Sequence, residues 1–210
     1  MGIMNGIVGK RCVVAGQSEP ASAIVNRFRK EEAEVIALDL APGQLTDGLV
    51  VKKHMNHVAD QLGGLDIVVT AFVTRDDRPF LEIDDQLWMQ TLNENLKCPF
   101  LVGREAARIM ALGGGGVIVH VGSNLANGNQ PGTGAYAAAK AGVHLLTTGS
   151  ALDLIPQNVR ICCVAANESH GGQDSLHDLA GAVAFCASDE ASYVVGSTFS
   201  LDGNSRVRSL

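Results

Sequence analysis

Short apolar runs alternate along the chain with longer stretches in which apolar residues recur at helical spacing. Six of the short runs are rich in β-branched residues and predict strands at residues 11–15, 34–40, 65–69, 117–121, 159–165 and 197–201. Residues 46–62 carry an apolar stripe at helical spacing, and residues 87–111 are long enough for a helix of several turns. This alternation predicts an α/β fold, in which a parallel sheet is covered by helices on both faces.

The composition is typical of one compact domain spanning residues 1–210. The chain has 210 residues, of which 46% are apolar and 4% aromatic. With 16 basic and 22 acidic side chains the net charge is −6, so we expect no nucleic-acid partner. No apolar stretch approaches the ~20 residues that cross a bilayer, and we expect no membrane attachment.

The positions of the cysteines indicate the cellular compartment, and those of the histidines indicate whether a metal site is present. The five cysteines are odd in number, form no C-x-x-C pair and lie mostly in apolar runs, which predicts buried thiols in a reducing compartment such as the cytoplasm. His54 and His57 are three apart, but no third ligand follows at a recognisable spacing, so we expect solvent-facing residues and no metal site. His120 is interpreted as a packed polar side chain of a strand.

Tyr136 and Lys140 lie one helical turn apart, and Ser123 precedes them at the end of an apolar run. A phenol with its ordinary pKa near 10 is a poor base at neutral pH. At this spacing both side chains project from one helix face, so the ammonium of Lys140 can lower the pKa of Tyr136. The three residues can therefore move a proton to or from a carbonyl oxygen.

These residues, with several spaced motifs, resemble the short-chain dehydrogenase/reductase family over nearly the whole chain. Ser123, Tyr136 and Lys140 match the family's serine and its Tyr-x-x-x-Lys motif, and Asn95 matches its asparagine. Further matches lie at residues 135–142, 159–161 and 187–192, at Gly196 and at Asp202-Gly203. The resemblance implies a Rossmann-like, doubly wound parallel sheet of about six strands.

The resemblance also implies a role for each matching residue. Tyr136 is expected to be the general acid/base, Lys140 to lower its pKa and hold the nicotinamide ribose, and Ser123 to polarise the substrate oxygen. Asn95 is expected to hold a water of the proton route. Its alternative is a helix-kinking asparagine that bonds backbone carbonyls. The cofactor-binding positions implied are Gly16, Gln17, Ser18, Asp39, Ala71, Tyr136, Lys140 and Asn167.

The turn after the first strand departs from the family's Thr-Gly-x-x-x-Gly-x-Gly pattern. Of its glycines only Gly16 is present. Pro20 removes an N–H that could bind phosphate, and Glu19 adds a negative charge beside the expected anion. Ser18 can supply a hydroxyl to a phosphate, or it can simply cap the following helix.

Asp39 ends the second predicted strand, where a carboxylate can bind the adenosine ribose and repel a 2′-phosphate. This favours NAD over NADP, and the alternative is an ordinary turn aspartate. Only about two dozen residues then precede the third predicted run. We therefore expect that the family's third strand and the helix before it are lost or vestigial.

Two more family motifs are replaced. Residues 70–73 read Thr-Ala-Phe-Val where the family has Asn-Asn-Ala-Gly, and Ala166-Asn167 stands in place of Pro-Gly. Phe72 and Val73 are expected to put side chains where the nicotinamide end usually meets bare backbone. Only residues 168–177 precede the next helix, so the loop that covers the substrate is expected to be short.

The sequence supports three hypotheses. The first is an NAD-dependent oxidoreductase that interconverts a secondary alcohol and a ketone, acting on a small molecule. The second is a related regulatory or structural subunit with weak or no dinucleotide binding, motivated by the replaced glycines. The third is a cofactor-independent lyase or isomerase that uses Tyr136 and Lys140. The resemblance also implies a homodimer or homotetramer, assembled through the helices that carry Asn95 and Tyr136.

Overall fold

The computed structural model describes residues 6–40, 42–127, 130–166 and 173–202. Within these ranges six parallel strands form one sheet in the order β2-β1-β3-β4-β5-β6. The strands are β1 (Arg11–Ala15), β2 (Glu34–Leu38), β3 (Ile67–Thr70), β4 (Gly116–Ser123), β5 (Val159–Ala166) and β6 (Thr198–Leu201). The α/β parallel sheet predicted from the sequence is confirmed.

Seven α-helices connect the strands in the part of the chain that the structure describes. They are α1 (Glu19–Lys30), α2 (Pro42–Leu45), α3 (Gly48–Leu62), α4 (Asp85–Leu92), α5 (Cys98–Gly113), α6 (Gly134–Leu154) and α7 (Gln173–Ala187). A π-helical turn, Asn93–Lys97, joins α4 to α5, so that residues 85–113 form one interrupted helical stretch. The helix predicted at residues 87–111 is therefore present, with this interruption.

The helices bury both faces of the sheet. On one face, α1 and α7 pack on the strands around a core that includes Phe28, Val119 and Val183. On the other face, α3 and α5 pack around a core that includes Met55 and Ile118. Neighbouring residues of β4 point to opposite faces, as the period of two in a strand requires. Burial on both faces explains why the strands read as nearly continuous apolar runs.

Side-chain caps fix where the helices begin. Ser18 caps α1 by accepting a hydrogen bond from the Ala21 N–H at 3.2 Å. Asp47 accepts from the Leu49 N–H at 2.8 Å, so α3 begins at Gly48 rather than at the predicted residue 46. Asp84 accepts from the Leu87 N–H at 2.7 Å, so α4 begins at Asp85, before the predicted start of that helix.

The second strand lies at the edge of the sheet. In the described ranges no strand pairs with the outer side of β2, and the connection from β2 to β3 contains only α2 and α3. The predicted loss of the third strand is therefore confirmed for these residues. The run predicted at residues 65–69 starts later, at Ile67, and the preceding Asp66 forms an ion pair with Arg11 of β1.

Candidate active site

Tyr136 and Lys140 lie in the first two turns of α6, beside the carboxyl ends of β3 and β4. Both side chains are buried, with exposed fractions of 1% and 0%. The Lys140 Nζ lies 5.5 Å from the centroid of the Tyr136 ring. The predicted one-turn spacing therefore brings the ammonium next to the phenol, in a setting where water screens the charge weakly.

The Lys140 ammonium is fixed by backbone carbonyls at the ends of two strands. Its Nζ donates to the Phe72 oxygen at 2.6 Å and to the Val121 oxygen at 3.2 Å. A buried ammonium requires such acceptors, because an unpaired charge in the protein interior is costly. These bonds connect α6 to the chain that follows β3 and to the last residues of β4.

Two histidines lie within the field of the Lys140 charge. Burial and, to a lesser degree, Lys140 lower the pKa of His120 to about 4. The same two causes, burial first, lower the pKa of His144. The His120 Nδ1 is 2.6 Å from the Thr70 hydroxyl, so His120 is a packed polar residue of β4, as the sequence predicted.

Ser123 is the last residue of β4 and is fully buried. It lies two positions beyond Val121, whose carbonyl contacts Lys140. Its Oγ accepts a hydrogen bond from the Leu125 N–H at 3.1 Å, which holds the hydroxyl oxygen and leaves the hydroxyl proton able to point elsewhere. Ser123 thus ends β4 at the same edge of the sheet as Tyr136 and Lys140.

Asn95 lies in the π-helical turn and is fully buried. Its Nδ2 donates to the Thr74 oxygen at 2.8 Å and to the Thr91 oxygen at 3.1 Å, and its Oδ1 accepts from the Thr74 N–H at 3.1 Å. This is the backbone-bonding arrangement that the sequence left open as an alternative. It fastens the segment after β3 to the helical turn, and π-helical turns are common at functional sites.

Gly16 is a packing requirement of the turn between β1 and α1. Its φ is +134°, and a Cβ at this position would lie 2.3 Å from the Ala71 oxygen. The Ala71 N–H donates to the Ala15 oxygen at 2.8 Å, so the chains after β1 and β3 run in close contact. Glycine therefore allows the backbone after β3 to approach the turn.

Ser18 has a structural role in the same turn. Its Oγ donates to the Ala71 oxygen at 2.8 Å and also accepts the capping bond from Ala21. The hydroxyl proton is thus already used within the protein. Of the two roles predicted for Ser18, the structure shows the helix cap.

Gln17 and Asp39 meet at the mouth of a groove. The Gln17 Nε2 donates to the Asp39 Oδ1, and both residues are exposed. The groove has a volume of about 630 Å³, and its lining includes Gly16, Gln17, Ser18 and Asp39. These residues fit the adenosine half of a dinucleotide, because an exposed carboxylate can accept ribose hydroxyls and the start of α1 faces the groove.

Phe72 follows β3, where the sequence predicted a side chain near the nicotinamide end. Its side chain is 6% exposed and packs into the core on the α3 and α5 side, and its carbonyl oxygen accepts a hydrogen bond from Lys140. Strand alternation beyond Thr70 could have indicated this direction. Asn167, the remaining predicted cofactor contact, lies outside the described residues.

Arg75 is a residue at the site that the sequence reasoning missed. Its guanidinium carbon lies 6.0 Å from the centroid of the Tyr136 ring. It also forms an ion pair with Asp77, with Nε–Oδ1 and Nη2–Oδ2 distances of 2.6 and 2.5 Å. The only sequence signal is a cluster of four charged residues, Arg75-Asp76-Asp77-Arg78, in a stretch without regular structure.

The described residues carry neither a cluster of metal ligands nor a membrane-spanning helix. No group of three or more His, Cys, Asp or Glu side chains there could hold a metal ion. No helix in those ranges is long and apolar enough to cross a bilayer. All five cysteines are buried and none is bridged in a disulfide.

The fold is a Rossmann-like parallel α/β sheet. Ser123, Tyr136 and Lys140 form a site at the carboxyl edge of that sheet. Residues 8–169 match the family model described as short chain dehydrogenase. The chain therefore belongs to the short-chain dehydrogenase/reductase family, whose members are NAD(P)-dependent oxidoreductases.

Three similar proteins illustrate the match. A cis-4-hydroxycyclohexanecarboxylate dehydrogenase of Sinomonas cyclohexanicum is 32% identical over 76% of this chain and 73% of its own. A 3-oxoacyl-[acyl-carrier-protein] reductase of Staphylococcus aureus is 29% identical over 90% of this chain and 84% of its own. A solved short-chain dehydrogenase/reductase from Serratia marcescens superposes with a TM-score of 0.84 at 26% identity, covering 95% and 98% of the two chains.

Proposed function

We propose that this protein interconverts a secondary alcohol and a ketone by hydride transfer with a nicotinamide coenzyme, with Tyr136 as the general acid/base. The observation that carries the proposal is the buried Tyr136 ring with the Lys140 ammonium 5.5 Å from its centroid. Burying a phenol and an ammonium costs more than burying apolar side chains of similar size. A buried ammonium beside a phenol is, however, what proton transfer near neutral pH requires.

The protein's own residues handle the proton in this scheme. In the oxidation direction the tyrosinate form of Tyr136 takes the hydroxyl proton, and the Lys140 charge favours that form. The Ser123 hydroxyl donates to the substrate oxygen and holds it in position. The bound nicotinamide supplies the hydride acceptor or donor. Asn95 serves by fixing the helical turn beside the site, where we propose that a relay water binds.

We propose the preference between NAD and NADP from the position of Asp39. Its carboxylate is exposed at the groove and contacts Gln17. A carboxylate at this place accepts hydrogen bonds from ribose hydroxyls and repels a 2′-phosphate. We therefore propose NAD as the preferred coenzyme and NADP as the poorer one, with Gly16, Gln17, Ser18 and Ala71 lining the path of the dinucleotide.

The proposed substrate is a small carbonyl or alcohol compound. Two relatives carry names that refer to a ring alcohol with a carboxylate and to a 3-oxoacyl group, and each pairs a secondary alcohol with a ketone. The strand β5 ends at Ala166 and α7 begins at Gln173, so few residues connect them. A short connection here supports an accessible site rather than a deeply enclosed one.

We also propose that residues 1–210 form a single domain that assembles as a homodimer or homotetramer in the cytoplasm. Large apolar side chains are exposed on α5 and α6, among them Leu112, Leu145 and Leu152 at 92%, 74% and 75%. Such surfaces are typical of subunit contacts. Light scattering coupled to size exclusion measures the assembly, and a monomer at micromolar concentration contradicts it.

A second candidate is a subunit of this family that binds dinucleotide weakly or not at all. The hydroxyl of Ser18 is bonded to Ala71, and Pro20 lies at the start of α1 without an N–H. Both features reduce the donors available to a pyrophosphate. Turnover without any nicotinamide signal would instead identify a lyase or isomerase.

The test of the proposed function is the change Tyr136→Phe, with Tyr193→Phe as its matched control. Tyr193 is fully exposed and is the other of the two tyrosines. We expect Tyr136→Phe to lower ketone reduction by roughly 10²–10⁴-fold while circular dichroism stays unchanged. The control variant keeps its rate, and an equal rate in Tyr136→Phe and wild type rejects the proposed role.

A further inference from the structure

We propose that Arg75 selects substrates that carry a carboxylate a few ångströms from the reacting carbonyl. The inference rests on the proposed function, because it concerns the same site and the same reaction. It goes further by naming an anionic substrate class and the residue that recognises it.

The position of Arg75 supports this role. Its guanidinium carbon is 6.0 Å from the centre of the Tyr136 ring, while its side chain keeps 22% of its surface exposed. Tyr136 itself is 1% exposed. Because the guanidinium lies 6.0 Å from the ring centroid, a carboxylate carried a few ångströms from a carbonyl at the Tyr136 hydroxyl would come within reach of this cation.

The backbone on both sides of Arg75 is anchored. Asn95, which is fully buried, bonds both the N–H and the carbonyl of Thr74. Three residues beyond Arg75, the Arg78 N–H donates to the Gly132 oxygen at 2.9 Å. The guanidinium is thus carried on a segment that is held near Tyr136 before any substrate arrives, which lowers the entropic cost of binding.

The ion pair between Arg75 and Asp77 can open to admit a substrate carboxylate. The Asp77 side chain is 36% exposed, and ion pairs exposed to this degree are weak because water screens them. A substrate carboxylate offers the same bidentate geometry to the guanidinium. A neutral substrate of the same shape gains no such contact. Asp77 should therefore weaken anion binding by competition, and Arg75 should strengthen it.

The kinetic experiment compares 4-oxocyclohexanecarboxylate with 4-oxocyclohexanecarboxamide, using the full chain and NADH. The two ketones share a ring and differ in charge. In wild type we expect kcat/KM to favour the carboxylate by about 10-fold or more. Arg75→Gln removes that preference, Arg75→Lys restores part of it, and Asp77→Asn increases it.

Arg78→Gln is the matched control. Arg78 forms the same kind of pair with Asp76, in which the side chains are 46% and 45% exposed. We expect this variant to keep the wild-type ratio for the two ketones. Thermal melts of all variants show whether a loss of preference comes from loss of fold.

A binding measurement separates failure of this inference from failure of the proposed function. Calorimetry with cyclohexanecarboxylate and cyclohexanecarboxamide, neither of which can be reduced, reports on the anion contact alone. If wild type reduces both ketones equally well and Arg75→Gln leaves the ratio unchanged, the inference is overturned while the reductase activity stands. If no ketone is reduced, the proposed function is rejected. In that case the binding data still decide the inference. If wild type binds cyclohexanecarboxylate and Arg75→Gln does not, the anion site is supported. If both proteins bind it equally, the inference is overturned.

Discussion

The two ends of the proposed site are built differently. At the catalytic end, Ser123, Tyr136 and Lys140 are buried, and Lys140 is bonded to two strand-end carbonyls. At the dinucleotide end, Gln17 and Asp39 are exposed beside an edge strand. The catalytic end keeps the family's residues, and the dinucleotide end has lost most of its glycines.

The difference shows which family features the fold itself requires. Gly16 stays because a side chain there would meet the Ala71 carbonyl. Ser18, at a variable position of the pattern, caps α1 and bonds that same carbonyl, while Pro20 and Ser22 stand where the later glycines would fall. The Tyr136 and Lys140 side chains are buried as well, but a phenol and an ammonium are costly groups to place in a core, so their presence indicates chemistry.

The largest expected effect is on the catalytic end. Replacing Lys140 with methionine removes the charge beside Tyr136, so we expect turnover to fall by roughly 10²–10⁴-fold. Steady-state rates with NADH measure this. Lys53→Met, on the exposed side of α3, is the control and should keep its rate. A Lys140→Met enzyme with full activity would place the proton chemistry elsewhere.

The next largest effect should be on the stability of the fold, through the turn between β1 and α1. In Gly16→Ala a Cβ lies 2.3 Å from the Ala71 oxygen at a φ of +134°, so we expect a loss of about 2–4 kcal/mol in the free energy of unfolding. Gly149→Ala, in the middle of α6 with nothing within 4 Å of a Cβ, should instead stabilise by about 0.5–1 kcal/mol. Urea denaturation measures both. A neutral Gly16→Ala would mean that the turn is not closely packed.

The catalytic end should also make the stability of the protein depend on pH. His120 has its pKa lowered to about 4 by burial and by Lys140. Below the ordinary pKa of histidine, the unfolded chain takes up a proton that the folded chain does not, so stability falls with falling pH until about pH 4. Between pH 7 and pH 5 we expect a loss of about 2 kcal/mol from this residue.

The comparison variants for this effect are His120→Asn and His57→Asn. His57 lies exposed on α3 and serves as the control replacement. His120→Asn should flatten the profile between pH 7 and pH 5. The pKa of His144 is also lowered, so this residue should likewise reduce stability as the pH falls. An unchanged slope in His120→Asn contradicts the assignment.

The smallest expected effect concerns coenzyme choice at the dinucleotide end. Asp39→Ala removes the carboxylate that would repel a 2′-phosphate, so we expect the NADH to NADPH preference to fall by about 10-fold. The ratio of kcat/KM for the two coenzymes measures it. Asp60→Ala, exposed on α3, is the control. If Asp39→Ala keeps the wild-type preference for NADH over NADPH, Asp39 is only a turn residue.

The sequence predicted the fold well, since strands buried on both faces read as continuous apolar runs. It also predicted that Tyr136 and Lys140 share a helix face, because that depends only on local spacing. The two roles of Ser18 could not be separated, since the deciding partner, the Ala71 carbonyl, lies 53 residues away. Arg75 was missed for the same kind of reason. Its place over Tyr136 depends on Asn95, which anchors a segment without regular structure.

The central claim is that a chain with this altered turn still binds a dinucleotide beside Tyr136. Titration of NADH into the purified protein, followed by coenzyme fluorescence and by calorimetry, tests it directly. We predict saturable binding with a dissociation constant of about 1–100 μM, weakened in Asp39→Ala. No saturable signal with NADH or NADPH up to millimolar concentration would contradict the account and favour the subunit role.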